Sequence, residues 1–318
     1  MKKSNIMKRR VQAYLDYRRS LGFSLRIEGQ QLLRFADYVD NKNYQGPLTE
    51  ELAIEWAKSS KKASRITWAR RLETIRCFAK YCLITESETQ VPEKGIFGKS
   101  HRRQPPYIFS EDEIHQIIDT TKYLIPQNGL RPLSFRYLFS LLYVTGLRVS
   151  EALRLLPEDV DLNQGILTIR KTKFNKSRLV PLDNSTVKAL SDYRDQRNIY
   201  WSREKPLAFF IIDNGEPITL RAADYAFLRI RNLLGWNITL REKMPRIYDL
   251  RHTFICYRVL EWYKQGADVY TLIPYLSTYV GHVKVSDTYW YLTGIPQLMK
   301  VVSEKFNHYV TSPYEGAI

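Results

Sequence analysis

Thr145-Gly146-Leu147-Arg148-Val149-Ser150-Glu151 sits between two apolar segments of helical period, and the elements on either side of it define a fold class. Arg131 to Leu142 reads as a buried helix, and Ser150 to Leu155 begins another. Two short apolar strands follow, Ile166-Leu167-Thr168-Ile169 and Arg178-Leu179-Val180-Pro181-Leu182, on either side of the polar turn Lys173-Phe174-Asn175-Lys176. That is a hairpin with a basic tip. Helices resume near Ser185, from Leu220 to Leu234, from Asp249 to about Lys264, and from Pro296 to about Phe306. The expected domain is mainly α with a small β-hairpin or sheet, an α+β arrangement.

Toward the N-terminus, Ser110-Glu111-Asp112-Glu113 has the form of a capping box, followed by Ile114, Ile117 and Ile118 on one helical face, so this domain is expected to span 107–318. The stretch before it is polar and holds proline and glycine, and 91–106 reads as a linker. Residues 1–90 read as four helices, with breaks at Leu21-Gly22-Phe23-Ser24, Asn41 to Pro47 and Ser59 to Ser64. In the last of them Trp68, Leu72, Ile75, Ala79 and Cys82 form an apolar stripe. Lys58, Lys61, Lys62, Arg65, Arg70, Arg71, Arg76 and Lys80 cluster around it and read as a surface that tracks phosphates, although any one alone is a plain solvated flank. Lys99, His101, Arg102 and Arg103 in the linker allow the same two readings.

Composition narrows the partner. The 318 residues are 44% hydrophobic and 26% charged, an ordinary globular balance. Lysine and arginine outnumber acids 49 to 33, a formal +16, so the natural partner is a polyanion rather than a membrane. Cys77, Cys82 and Cys256 make neither a disulfide framework nor a Cys-x-x-Cys metal pair, which fits a reducing interior. The basic N-terminus has no apolar run behind it and no later stretch is long enough to span a bilayer; a cytoplasmic protein is expected.

Four separated motifs need one explanation: residues 145–151; the hairpin; Tyr248-Asp249-Leu250-Arg251-His252-Thr253-Phe254; and Val280-Gly281-His282 with Asp287-Thr288-Tyr289-Trp290-Tyr291. In this order and spacing they resemble the tyrosine recombinase (phage integrase) family, from about residue 107 to 300. By that resemblance Arg148 is the first catalytic arginine, with Glu151 as its buried partner, and Arg251 is the second. The catalytic lysine falls at Lys173, with Lys171 and Lys176 as near competitors. The nucleophile lies nine residues beyond His282, at Tyr291, with Tyr289 as the near competitor. Tyr248 stands where the family usually has histidine; its hydroxyl can donate a hydrogen bond but cannot shuttle protons near neutral pH.

The resemblance implies a site-specific DNA recombinase that cuts and rejoins DNA through a 3′-phosphotyrosine, with neither metal nor small-molecule cofactor. It further implies a SAM-like helical core-binding domain in residues 1–90, forming a C-shaped clamp on DNA with the catalytic domain. The expected partner is double-stranded DNA bearing paired recombination sites, held by a homotetramer alone or with related recombinases. Ile295, Met299, Val302 and Phe306 make an apolar stripe that either packs on its own domain or docks on the next protomer. Asp287 to Thr293 looks more like transposon- and phage-borne integrases than Xer recombinases. The alternatives are an Xer-like dimer resolvase, a type IB topoisomerase-like enzyme, and an accessory DNA-binding protein of the same fold.

Overall fold

The computed structural model describes residues 6–60, 62–100, 106–170, 177–202, 205–236 and 243–290. The chain divides into two compact units, Met1–Gln104 and Pro105–Ile318.

The first unit holds α1 (Ile6–Ser20), α2 (Arg26–Asn41), α3 (Glu50–Lys58) and α4 (Arg65–Cys82), separated by the three breaks read from the sequence. Thr49 and Ser64 start α3 and α4 by accepting the backbone N–H groups of Leu52 and Thr67. Asp40, buried near the end of α2, takes the N–H groups of Met7 and Lys8 at 3.3 Å each. A carboxylate thus satisfies two donors in the first turn of α1, at the positive end of its dipole. Leu72, Ile75, Ala79 and Cys82 of the α4 stripe are buried, while Trp68 lies at the edge with its ring 5.8 Å from Phe97. Val91, Ile96 and Phe97, from the stretch expected as linker, pack on this core.

The second unit opens with α5 (Glu111–Thr120), whose capping box is present: Ser110 Oγ accepts from the Glu113 N–H at 3.2 Å and Glu113 Oε2 from the Ser110 N–H at 3.0 Å. The buried α6 (Leu130–Thr145) runs through the core, and the one-turn α7 (Val149–Ala152) follows. An antiparallel sheet comes next, in the order β1 (Val160–Asp161), β2 (Ile166–Ile169), β3 (Arg178–Pro181), with Ile169 opposite Arg178 and Leu167 opposite Val180. Strand β1 was not expected; two residues are too few to show alternation. The expected helices appear as α8 (Asn184–Tyr200), α9 (Leu220–Leu233) and α10 (Asp249–Lys264).

Two further helices, α11 (Val269–Val280) and α12 (Ser286–Tyr289), were not anticipated. The cause in α11 is Pro274, an interior proline that argues against a helix on sequence grounds. Burial of Val269, Ile273, Leu276 and Val280 against Ile255 and Val259 of α10 outweighs it. The turn from Lys173 to Lys176 and the helix expected from Pro296 to Phe306 lie outside the described residues. Among the described residues no helix is long and apolar enough to cross a membrane.

The start of the second unit is tied to α10 by one hydroxyl. Thr253, fully buried, accepts from the Phe109 N–H at 3.0 Å and donates to the Asp249 carbonyl at 2.8 Å. Thr253→Val keeps the shape but leaves a buried N–H unsatisfied. Urea denaturation should show a loss of about 1–3 kcal/mol, with the slope against denaturant unchanged.

Candidate active site

Helix α11 ends without intrahelical partners for the carbonyls of its last turn. Gly281, at φ +72°, turns the chain away in the left-handed conformation; its N–H returns to the Thr278 carbonyl at 3.0 Å and that of His282 to Ser277 at 2.9 Å. Three consecutive carbonyls then accept from three guanidiniums, each brought by a different element. Tyr279 O takes Arg178 Nε from β3 at 2.9 Å, Val280 O takes Arg251 Nη2 from α10 at 2.8 Å, and Gly281 O takes Arg148 Nη2 from the turn before α7 at 2.7 Å. The negative pole of a helix is where cations belong.

The end of α6 completes the frame. Gly146 also has positive φ, at +63°, and a Cβ there would lie 2.4 Å from the Phe254 ring, so both backbone and space require glycine. Its carbonyl accepts a second bond from Arg251, at 2.6 Å, which fixes that buried side chain at both Nη atoms.

Glu151 is the counter-ion. Its carboxylate, 5% exposed, accepts from Arg148 Nη1 at 2.8 Å, from the Arg148 backbone N–H at 3.0 Å, and from both Nη atoms of Arg178 at 3.1 and 2.8 Å. Burial alone would raise this carboxyl, but the bonds and charge of Arg178, then those of Arg148, hold it at about 2. Arg148 and Arg178 therefore share one carboxylate and bond the carbonyls on either side of the one that Arg251 takes.

Two imidazoles flank the arginines. His282 Nδ1 lies 2.7 Å from Oγ1 of Thr288, a buried residue of α12. Burial, reinforced by Arg251 and Arg148, depresses His282 to about 4, so it is neutral near pH 7. His252 is likewise depressed to about 4 by burial; Asp249 opposes the shift, while Arg246, Arg251 and Lys243 add to it. Tyr248, at the start of α10, is exposed, with its ring 5.7 Å from that of His252; the Trp290 ring lies 6.3 Å from His252.

Arg148, Arg251 and His282 are thus brought together, with Tyr248 at the periphery. Lys173 and Tyr291 lie outside the described residues, as do Lys61, Arg102 and Arg103. In the first unit Lys62, Arg65 and Lys80 are exposed, whereas Arg76 is half-buried and donates to the Pro92 carbonyl. Among the described residues no group of His, Cys, Asp or Glu is placed to hold a metal ion. Arg178 was not foreseen as a member of the site. The signal was available: period 2 along β3 puts Arg178 on the same face as buried Val180, and a charge facing inward needs a buried counter-ion.

Residues 108–294 match the phage integrase family. The chain belongs to the phage integrase family of tyrosine recombinases. It is thereby a site-specific DNA recombinase. This recombinase is 37% identical over 294 residues to a Sinorhizobium fredii protein named integrase/recombinase y4rB, covering 91% of this chain and 93% of that one. It is 27% identical to the tyrosine recombinase XerC of Staphylococcus carnosus, over 84% of this chain and 80% of the relative. Its fold is that of the Tn1549 transposon integrase solved with transposon right end DNA, with a TM-score of 0.66 at 14% identity over 95% of this chain and 99% of the other. It is also that of the XerH site-specific recombinase bound to its palindromic difH substrate, with a TM-score of 0.64 at 19% identity over 88% and 79%.

The carboxylate gives a pH signature. Because the folded state holds Glu151 at about 2, below its ordinary 4.5, its contribution is present above about 4.5 and is lost as pH falls toward about 2. Glu151→Gln should be destabilised near pH 7 by about 3–5 kcal/mol, since two partly buried guanidiniums lose their buried anion. The gap from the native chain should narrow across that acid window in denaturation at a series of pH values.

Proposed function

We propose that this recombinase cleaves DNA by attack of Tyr291 on the scissile phosphate, leaving a 3′-phosphotyrosine and a free 5′ hydroxyl. The supporting observation is the anchored arginine pair. Arg148 and Arg251 bond adjacent carbonyls, Gly281 O and Val280 O, so two guanidiniums are held at fixed spacing beside a neutral imidazole. A phosphodiester under attack gathers negative charge on its non-bridging oxygens, and donors already in place stabilise it without reorganising. In the tautomer whose Nδ1 accepts from the Thr288 hydroxyl, the single N–H of neutral His282 is on Nε2, and we assign it to the same oxygens. Lys173 then gives the departing 5′ oxygen its proton.

Religation reverses these steps on a new 5′ hydroxyl, so the energy of the broken bond is kept in the phosphotyrosine and no nucleotide is consumed. Tyr248 cannot take the proton-transfer role of the histidine it replaces; its contribution is a hydrogen bond from the hydroxyl. Exposed Lys62, Arg65 and Lys80 of the first unit, with Lys61, Arg76, Arg102 and Arg103, supply phosphate contacts that position the duplex.

Exchange between two duplexes takes four cuts, hence four protomers on paired sites. Mobilisation of an element bounded by inverted core sites is the favoured context, since relatives named integrase/recombinase match at 37% and 34% identity over more than nine tenths of the chain.

The test is covalent capture on nicked suicide DNA from the ends of the native element, without metal or nucleotide. A protein–DNA adduct should form, disappear in Tyr291→Phe and persist in Tyr289→Phe. No adduct on DNA that the protein binds would overturn the proposal. Arg148→Lys keeps the charge but cannot bond Gly281 O and Glu151 while also presenting a planar fork to phosphate. Single-turnover cleavage should fall by about 10²–10³-fold with binding largely retained.

A further inference from the structure

Arg178 is the third guanidinium at the end of α11, and the chemistry proposed above does not use it. It opens β3 and pairs across the ladder with Ile169, the last residue of β2. This pair is the base of the connection that carries Lys173, five residues before Arg178 in the chain. From there the side chain, 12% exposed, reaches Tyr279 O through Nε and both oxygens of Glu151 through its Nη atoms. It also lies against Gly281: a Cβ at that position would be 2.6 Å from Nη1 and 2.7 Å from Cζ. Glycine next to His282 thus leaves room for this arginine as well as serving the turn.

Nε and both Nη atoms of Arg178 bond protein acceptors, and it is through these partners that it bears on the site. What its bonds join is specific. One end is the ladder pair that closes the Lys173 connection; the other is the carboxylate shared with Arg148 and the turn that bears His282.

We infer that Arg178 is a positioning residue that registers the Lys173 connection against the arginine–histidine cluster, and so sets where the general acid stands relative to the leaving 5′ oxygen. The inference rests on the assignment of Lys173 as that acid. A short ladder end frays unless its last pair is tied, and a proton donor held within hydrogen-bond reach acts at a far higher effective concentration than one that wanders. Lysine at 178 has a single nitrogen in place of a three-nitrogen fork and cannot bond Tyr279 O and both Glu151 oxygens together.

The test compares ordinary suicide DNA with DNA whose scissile 5′ bridging oxygen is replaced by sulfur. In both, the Tyr291 O–P bond forms as the bond to the 5′ bridging atom breaks. An alkoxide leaving group needs the proton, whereas a thiolate leaves without one. Single-turnover cleavage is measured for the full chain, for Lys173→Ala, for Arg178→Met and for Arg178→Lys, with DNA binding and thermal melting in parallel. Lys173→Ala and the Arg178 variants should all be slowed by about 10²-fold or more on ordinary DNA, and sulfur should restore most of that rate.

If Lys173→Ala is rescued but the Arg178 variants that bind DNA are not, the inference fails and Arg178 is a structural support alone. Wild-type cleavage of ordinary DNA by the Arg178 variants overturns it too. If Lys173→Ala is not rescued, the assignment of the acid fails and carries the inference with it. Should Arg178→Met not fold, Arg178→Lys, which keeps a cation beside Glu151, decides between these results.

Discussion

The carbonyls of Tyr279, Val280 and Gly281 form the point on which the catalytic unit is organised. A helix end buried without partners is costly, and here the partners are three arginines from β3, α10 and the turn before α7. Charge-assisted hydrogen bonds contribute about 1.5–3 kcal/mol each, so the end of α11 and the placement of the arginines stabilise each other. Motifs more than a hundred residues apart in sequence become one site because they answer the same deficit.

The charge balance of this arrangement prepares it for a phosphate. Two guanidiniums share one carboxylate, Glu151, and a third joins them on the partial charges of the helix terminus, while burial keeps both His252 and His282 neutral near pH 7. The cluster retains net positive charge in a partly dehydrated setting, where an arriving anion interacts strongly. Both arginines assigned to the phosphate bond backbone carbonyls, and the Glu151 carboxylate that pairs with Arg148 is shared with Arg178, so the positive charge is only partly offset.

Much of this was readable from the sequence. The breaks in 1–90 fell where glycine, proline and serine interrupt the apolar period, and α10 spans the expected Asp249–Lys264. Arg148, Arg251 and His282 converge as their motifs implied. What escaped depended on tertiary context. Pro274 masked α11, whose burial against α10 decides its conformation. Strand β1 is set by pairing with β2 and not by its own two residues. Arg178 looked like one basic residue among many, because its role is visible only once Glu151 and Tyr279 are seen beside it. Lys173 and Tyr291 rest on spacing and on family resemblance, and the experiments on them carry that weight.

The central claim is that the anchored arginines act by neutralising charge on the scissile phosphate. The most direct measurement is cleavage of DNA in which one non-bridging oxygen of that phosphate is replaced by methyl, giving an uncharged ester, by the native chain and by Arg148→Ala. The account predicts that Arg148→Ala, nearly inactive on ordinary DNA, regains Tyr291-dependent cleavage on the neutral ester, where there is less charge for Arg148 to offset. Continued inactivity of Arg148→Ala on that ester, while it binds the DNA normally, would contradict the account.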